Sequence, residues 1–127
     1  MSPPARGVDT NIEKTLDQLM SRIICTIDLG TTNLKVALVD ATGHIVALTS
    51  VAAPELDGPH GHFDPDVYLE LIQGTVRDVI DTEAIKASDI VGLSFSSQRS
   101  TLVLIDADGK ASGPAWSWQG TGCGPAY

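Results

Sequence analysis

The chain has 127 residues, enough for one domain with a modest core. Sixteen acids against eight bases leave a net charge of −8 distributed along the sequence, which disfavours nucleic acid or an anionic membrane surface as a partner because both demand a basic stripe. No run approaches the roughly 20 apolar residues of a membrane span, and the opening Met1-Ser-Pro-Pro-Ala-Arg leads into polar residues rather than a signal core. The expectation is a cytoplasmic protein with reduced thiols at the widely spaced Cys25 and Cys123.

Residues 1 to about 10 are rich in proline and small polar residues and read as loose. Asn11 to Met20 is a short helix, with Ile12, Leu16, Leu19 and Met20 at helical spacing. Residues 1–21 therefore form an extension, partly flexible, ahead of a domain over 22–127. Ile23 to Asp28 is a β-branched strand that breaks at Gly30. Leu34 to Val39 is a second strand, turning at Asp40-Ala41-Thr42-Gly43, and Ile45 to Leu48 opens a third. The short glycine-containing gaps predict an antiparallel three-strand meander.

Ala53 to Phe63, with two prolines and two glycines, is a loop. Asp64-Pro65 starts a helix, an acceptor side chain at the cap and proline at the first position. Tyr68, Leu71, Ile72, Val76, Val79 and Ile80 give it one apolar face to about Asp81. Ile90 to Phe95 is a fourth strand, expected to lie parallel to an earlier one because a helix precedes it. Thr101 to Ile105 reads as a fifth, and Ala115 to Trp118 as a sixth. Val36–Gly43 and Val103–Lys110 echo each other, each an apolar run followed by Asp-Ala-x-Gly, and two similar hairpin turns account for that. The class is α/β.

Asp28-Leu29-Gly30-Thr31-Thr32 suits phosphate. Glycine exposes backbone amides and admits close approach, and two threonines add hydroxyl donors. Asp28 would repel phosphate alone, so its sensible role is to hold Mg²⁺, directly or through water. A plain β-turn with Asp28 as a turn acid reads the same residues equally well, and Lys35 reads as an ordinary surface residue. Neither a Walker loop nor a GxGxxG fingerprint occurs.

Ile27-Asp28-Leu29-Gly30-Thr31-Thr32-Asn33 resembles the first phosphate motif of the actin, sugar kinase and heat-shock chaperone superfamily. By itself that heptad fits chaperone ATPases at least as well as kinases. Ser96-Ser97-Gln98-Arg99-Ser100-Thr101, the turn at Asp106 to Lys110, and Pro114-Ala115-Trp116-Ser117-Trp118-Gln119 resemble the FGGY carbohydrate kinases in order and spacing. The resemblance covers about residues 22 to 127. It implies a ribonuclease-H-like, actin-like ATPase fold, here incomplete, with ATP and Mg²⁺ as cofactors and a sugar or polyol as acceptor of the γ-phosphoryl group. It places Asp28, Gly30, Thr31 and Thr32 on phosphate, and Gln98, Arg99 and Trp118 in the polyol pocket. Their chemistry agrees, since amide and guanidinium groups bind several hydroxyls while indole covers an apolar sugar face. A surface ion pair for Arg99 and core packing for Trp118 are the plainer readings.

Three departures stand out. Ser100 occupies the place of the glutamate that glycerol kinases carry after Gln-Arg. Gly120 and Gly122 replace an acid and an arginine common after the Trp-Gln. The resemblance also puts the catalytic aspartate, the second phosphate motif and the adenosine lobe beyond Tyr127, and neither Asp40 nor Asp106, each in a turn, is a credible base. The expectation is therefore part of a kinase, with a non-catalytic sugar-binding or regulatory remnant and a chaperone-type ATPase fragment as alternatives. A sheet edge or apolar face left uncovered would favour oligomers or aggregation. His60-Gly61-His62 with Asp64 reads as a solvated loop rather than a metal site.

Overall fold

The computed structural model describes residues 11, 12, 14, 15, 22–82 and 85–121. Asn11, Ile12, Lys14 and Thr15 are helical; the rest of the expected first helix, the expected loose residues 1 to 10 and Cys123 lie outside the described residues.

Three strands, β1 (Ile23–Leu29), β2 (Asn33–Asp40) and β3 (Ile45–Ala52), form the expected antiparallel meander. Their alternation sets the faces. Ile23, Cys25 and Ile27 of β1 are buried with Leu34, Val36 and Leu38 of β2, while the intervening positions are more exposed. Burial also pushes the Cys25 thiol pKa up.

Helix α1 (Pro65–Thr82) covers the buried face over β2 and β3. Its start is capped as the sequence suggests: an Asp64 carboxylate oxygen accepts the N–H of Asp66 at 2.9 Å and that of Val67 at 3.4 Å. Val79 and Tyr68 bury against the strands, and Phe63 meets the Tyr68 ring edge-on at 5.6 Å.

A short 3₁₀ turn at Ala87–Asp89 leads into β5 (Ile90–Ser97), which lies parallel to β1 in a sheet of order β3-β2-β1-β5. A second, two-stranded sheet joins β4 (His62–Phe63) to β6 (Ala115–Trp116).

The two echoing segments share one turn. Asp40 and Asp106 each accept two backbone N–H groups on one carboxylate oxygen, Thr42 and His44 in the first case, Asp108 and Lys110 in the second. Gly43 and Gly109 both sit at positive φ, +85° and +78°, the conformation glycine adopts without strain.

Three expectations require correction. Thr101 to Ile105 is not a strand. It touches the following arm at two isolated bridges, Leu102 with Trp116 and Ile105 with Ala111. The register slips between those bridges, and Pro114 in the slipped stretch has no N–H for a ladder. Leu102 to Ile105 consequently stay exposed. The sixth strand is correspondingly short, Ala115–Trp116 only, and the loop after β3 ends in β4 because Phe63 and His62 find partners there.

One apolar face remains open. Leu93 and Phe95 pair with the buried Cys25 and Ile27 across the β1–β5 ladder, yet each is 61% exposed, because α1 packs on β2 and β3.

The core location is testable. Leu38→Ala should cost about 2–5 kcal/mol in urea denaturation, the range for large-to-small changes at buried sites, whereas the exposed Ile45→Ala should cost far less.

The Asp40 turn gives a pH test. Hydrogen bonds from the Thr42 hydroxyl and the His44 N–H hold the Asp40 carboxyl below the usual carboxylate range. A lowered folded-state pKa stabilises above the unfolded value, about 3.9, and the benefit disappears as pH falls through the lowered value. The difference in unfolding midpoint between wild type and Asp40→Asn should stay level above about pH 5 and shrink below about pH 4.

Candidate functional site

Parallel pairing puts the carboxyl ends of β1 and β5 side by side, the edge of an open α/β sheet where crevices form. The Gln98 N–H donates to the Leu29 carbonyl at 2.9 Å, extending the ladder one step past β5. Loop 30–32 after β1 and loop 98–100 after β5 are thereby neighbours.

Within the first loop, Gly30 is required by space. A Cβ there would lie 2.6 Å from the Asn33 carbonyl oxygen, the same oxygen that accepts the Gly30 N–H at 3.1 Å. Asp28 is half-buried at the end of β1, opposite Ser96, whose hydroxyl donates to one of its carboxylate oxygens. Tyr68 on α1 is close enough to feel that charge: burial, and then Asp28, push its phenol pKa up, and its buried hydroxyl has no hydrogen-bond partner among the described residues. Lys35 is exposed, as expected.

Thr31 reaches across to the second loop. Its hydroxyl donates to Gln98 Oε1 at 3.0 Å, and Trp118 Nε1 donates to the same oxygen at 3.1 Å. Thr31, Gln98, Arg99, Ser100 and Trp118 line one open cavity of about 430 Å³. The structure thus brings together Thr31, Gln98, Arg99 and Trp118, and leaves Asp28, Gly30 and Thr32 out of that wall. Trp118 is 56% exposed, so it is not core packing. Arg99 is exposed and forms no ion pair among the described residues. Ser100 has φ of 60°, an uncommon left-handed conformation for a residue other than glycine.

Trp118 is held from behind. The Ser117 N–H donates to the Gly61 carbonyl at 2.9 Å, and the Thr121 N–H and hydroxyl donate to the Pro59 carbonyl at 2.8 and 3.2 Å. The two backbones touch at Gly120, where a Cβ would sit 2.1 Å from the His60 carbonyl oxygen. The missing acid at this position is therefore not a simple deletion, since the packing against loop 58–61 leaves room for no side chain. Gly61, at φ of 63°, answers it from the other side. Gly122 lies outside the described residues.

The sequence did not expose three of these relations. Ser96 is recognisable as the partner of Asp28 only once the β1–β5 register is known. In the sequence Tyr68 belongs to the apolar face of the helix, and Gly61 to a loop.

A larger cavity of about 590 Å³ lies elsewhere, lined by Glu55, Asp57, His62, Asp64 and Asp66 among others. His60 stacks on His62 at 5.5 Å, but among the described residues no three His, Cys, Asp or Glu side chains are grouped to hold a metal ion. The smaller cavity, which joins the two loops, carries the convergent polar groups. A lone Asp28 carboxylate with a serine hydroxyl suits Mg²⁺, an ion that keeps most of its water and takes further oxygens from phosphate.

Known proteins resemble this chain over the same stretch. Residues 23–125 match the amino-terminal domain of the FGGY family of carbohydrate kinases. The xylulose kinase of Bacillus subtilis is 29% identical over 102 residues, which is 79% of this chain and 20% of that protein. The glycerol kinase of Bdellovibrio bacteriovorus is 32% identical over 103 residues, 79% of this chain and 21% of that protein. Among solved structures, a xylulose kinase from Brucella ovis superimposes with a TM-score of 0.70 at 20% identity, over 79% of this chain and 22% of its own. That likeness shows the fold, the actin-like ATPase fold in part. The chain spans about a fifth of the length of the curated relatives it matches.

The Gly120 contact predicts that Gly120→Ala destabilises the protein by about 1–3 kcal/mol, as overpacking does, and changes Trp118 fluorescence. An alanine variant with wild-type stability and emission would contradict the close packing.

Proposed function

The chain belongs to the FGGY family of carbohydrate kinases, and on that footing we propose that it supplies the first phosphate loop and part of the acceptor pocket for transfer of the ATP γ-phosphoryl group to a sugar or polyol hydroxyl. The observation that carries this reading is the single cavity shared by Thr31 of the loop and by Gln98, Arg99 and Trp118. Such a transfer rests on positioning and charge stabilisation, and in this reading the two halves of that task meet at the cavity.

In this reading the backbone of Gly30 to Thr32 and the threonine hydroxyls meet phosphate oxygens. Asp28, oriented by Ser96, would hold Mg²⁺, directly or through water, and the ion when bound would supply charge neutralisation at the phosphates. Arg99 donates to acceptor hydroxyls, and the exposed Trp118 ring covers an apolar sugar face. Ser100 in place of glutamate leaves glycerol without special favour over a longer sugar.

No residue of this chain is assigned as the base. Asp40 and Asp106 each hold turn N–H groups, well suited to structure and poorly to proton transfer. Binding without turnover is accordingly the expected behaviour of residues 1–127 alone.

Calorimetric titration with D-xylulose and with glycerol tests the pocket. The chain should bind at least one of them, and Arg99→Ala should weaken binding ten-fold or more, about 1.4 kcal/mol, while Lys35→Ala leaves it unchanged. An ATP-consumption assay run alongside should stay at background with this chain. Binding that survives Arg99→Ala, or no binding by either compound, would refute the assignment. Sugar-independent ATP hydrolysis would instead favour the chaperone-type reading.

A further inference from the structure

The side-chain oxygen of Gln98 serves two donors at once. Trp118 Nε1 can only donate, so its 3.1 Å contact identifies the Gln98 atom as the carbonyl oxygen rather than the amide nitrogen. The Thr31 hydroxyl, 3.0 Å from the same oxygen, must then donate as well. A carbonyl oxygen has two lone pairs and a hydroxyl has one hydrogen. The acceptor is full, and the single hydroxyl hydrogen of Thr31 is committed.

That commitment conflicts with phosphate. An ionised phosphate oxygen is an acceptor, so the Thr31 hydroxyl can bind it as a donor only by withdrawing from Gln98. Withdrawal leaves one lone pair of Gln98 Oε1 unfilled at the wall of the cavity it shares with Arg99 and Trp118. The vacated lone pair faces the open cavity, where a hydroxyl of a cavity ligand can take it in place of water. We propose that Gln98 is a positioning residue that couples the two ligands: phosphate takes the Thr31 hydrogen, and an acceptor-sugar hydroxyl takes the vacated place on Gln98. This rests on the phosphate and sugar assignments above. Each ligand removes a cost the other would bear, so their binding is mutually favourable, and by linkage the factor is equal in both directions.

The indole N–H of Trp118 reports on the shared oxygen, because losing the competing donor strengthens the remaining bond. In ¹⁵N-labelled protein its cross-peak, identified with Trp118→Phe, should move in ligand-free Thr31→Val and stay in place in Thr31→Ser, which keeps the hydroxyl. Magnesium pyrophosphate should move the wild-type peak in the same direction and leave the Thr31→Val peak unmoved. D-xylulose should bind wild type at least five-fold more tightly with saturating magnesium pyrophosphate than without, the low end of ordinary coupling. Thr31→Val should already show the tighter affinity with no pyrophosphate present.

An unmoved indole peak in ligand-free Thr31→Val overturns the proposal whatever the ligands do. So does pyrophosphate that shifts the Gly30 and Thr32 amides without shifting Trp118. If Thr31→Val moves the indole but pyrophosphate moves nothing, the phosphate assignment has failed and the exchange fails with it. Two binding events without coupling would leave the assigned function standing and remove the exchange alone.

Discussion

The parallel pairing of β1 with β5 is the constraint on which the site depends. Asp28 stands opposite Ser96, Leu29 opposite Ser97, and the Gln98 N–H completes the run on the Leu29 carbonyl. Residues nearly seventy positions apart become neighbours by main-chain hydrogen bonds, before any side chain contributes. α1 enforces this arrangement by carrying the chain across the sheet and burying Val79 and Tyr68 against it. A one-step slip would separate the Asp28–Ser96 pair and invert which side chains face the helix.

The sequence made the first half of the fold legible because local rules decided it. Alternating apolar residues defined β1 and β2, the Asp-Ala-Thr-Gly turn fixed their connection to β3, and Asp64-Pro65 marked the helix start. The later segments depended on distant partners. Leu102 to Ile105 has strand composition, but a ladder needs a partner in register, and the slip around Pro114 denies it one. β4 is equally invisible from Phe63 and His62, since its existence depends on Ala115 and Trp116.

The candidate site was legible as residue types and not as relations. Gln98, Arg99 and Trp118 were recognisable by family resemblance, and Thr31 by loop chemistry. That Gln98 binds Thr31 and Trp118 through one oxygen, and that Gly120 packs on the His60 backbone, is visible only in the folded structure. These relations change the meaning of two sequence features. Gln98 becomes a link between loops, and the glycine in place of an acid becomes part of the strap that holds Trp118.

Chemical-shift mapping with D-xylulose tests the central claim, that the β1–β5 pairing assembles one pocket from two loops. The backbone signals of Thr31, Gln98, Arg99 and Ser100 should shift together with a common saturation curve, while those of Glu55, Asp57 and Asp66 around the larger cavity stay in place. Shifts confined to the acidic cavity, or separate saturation of the two loops, would contradict it.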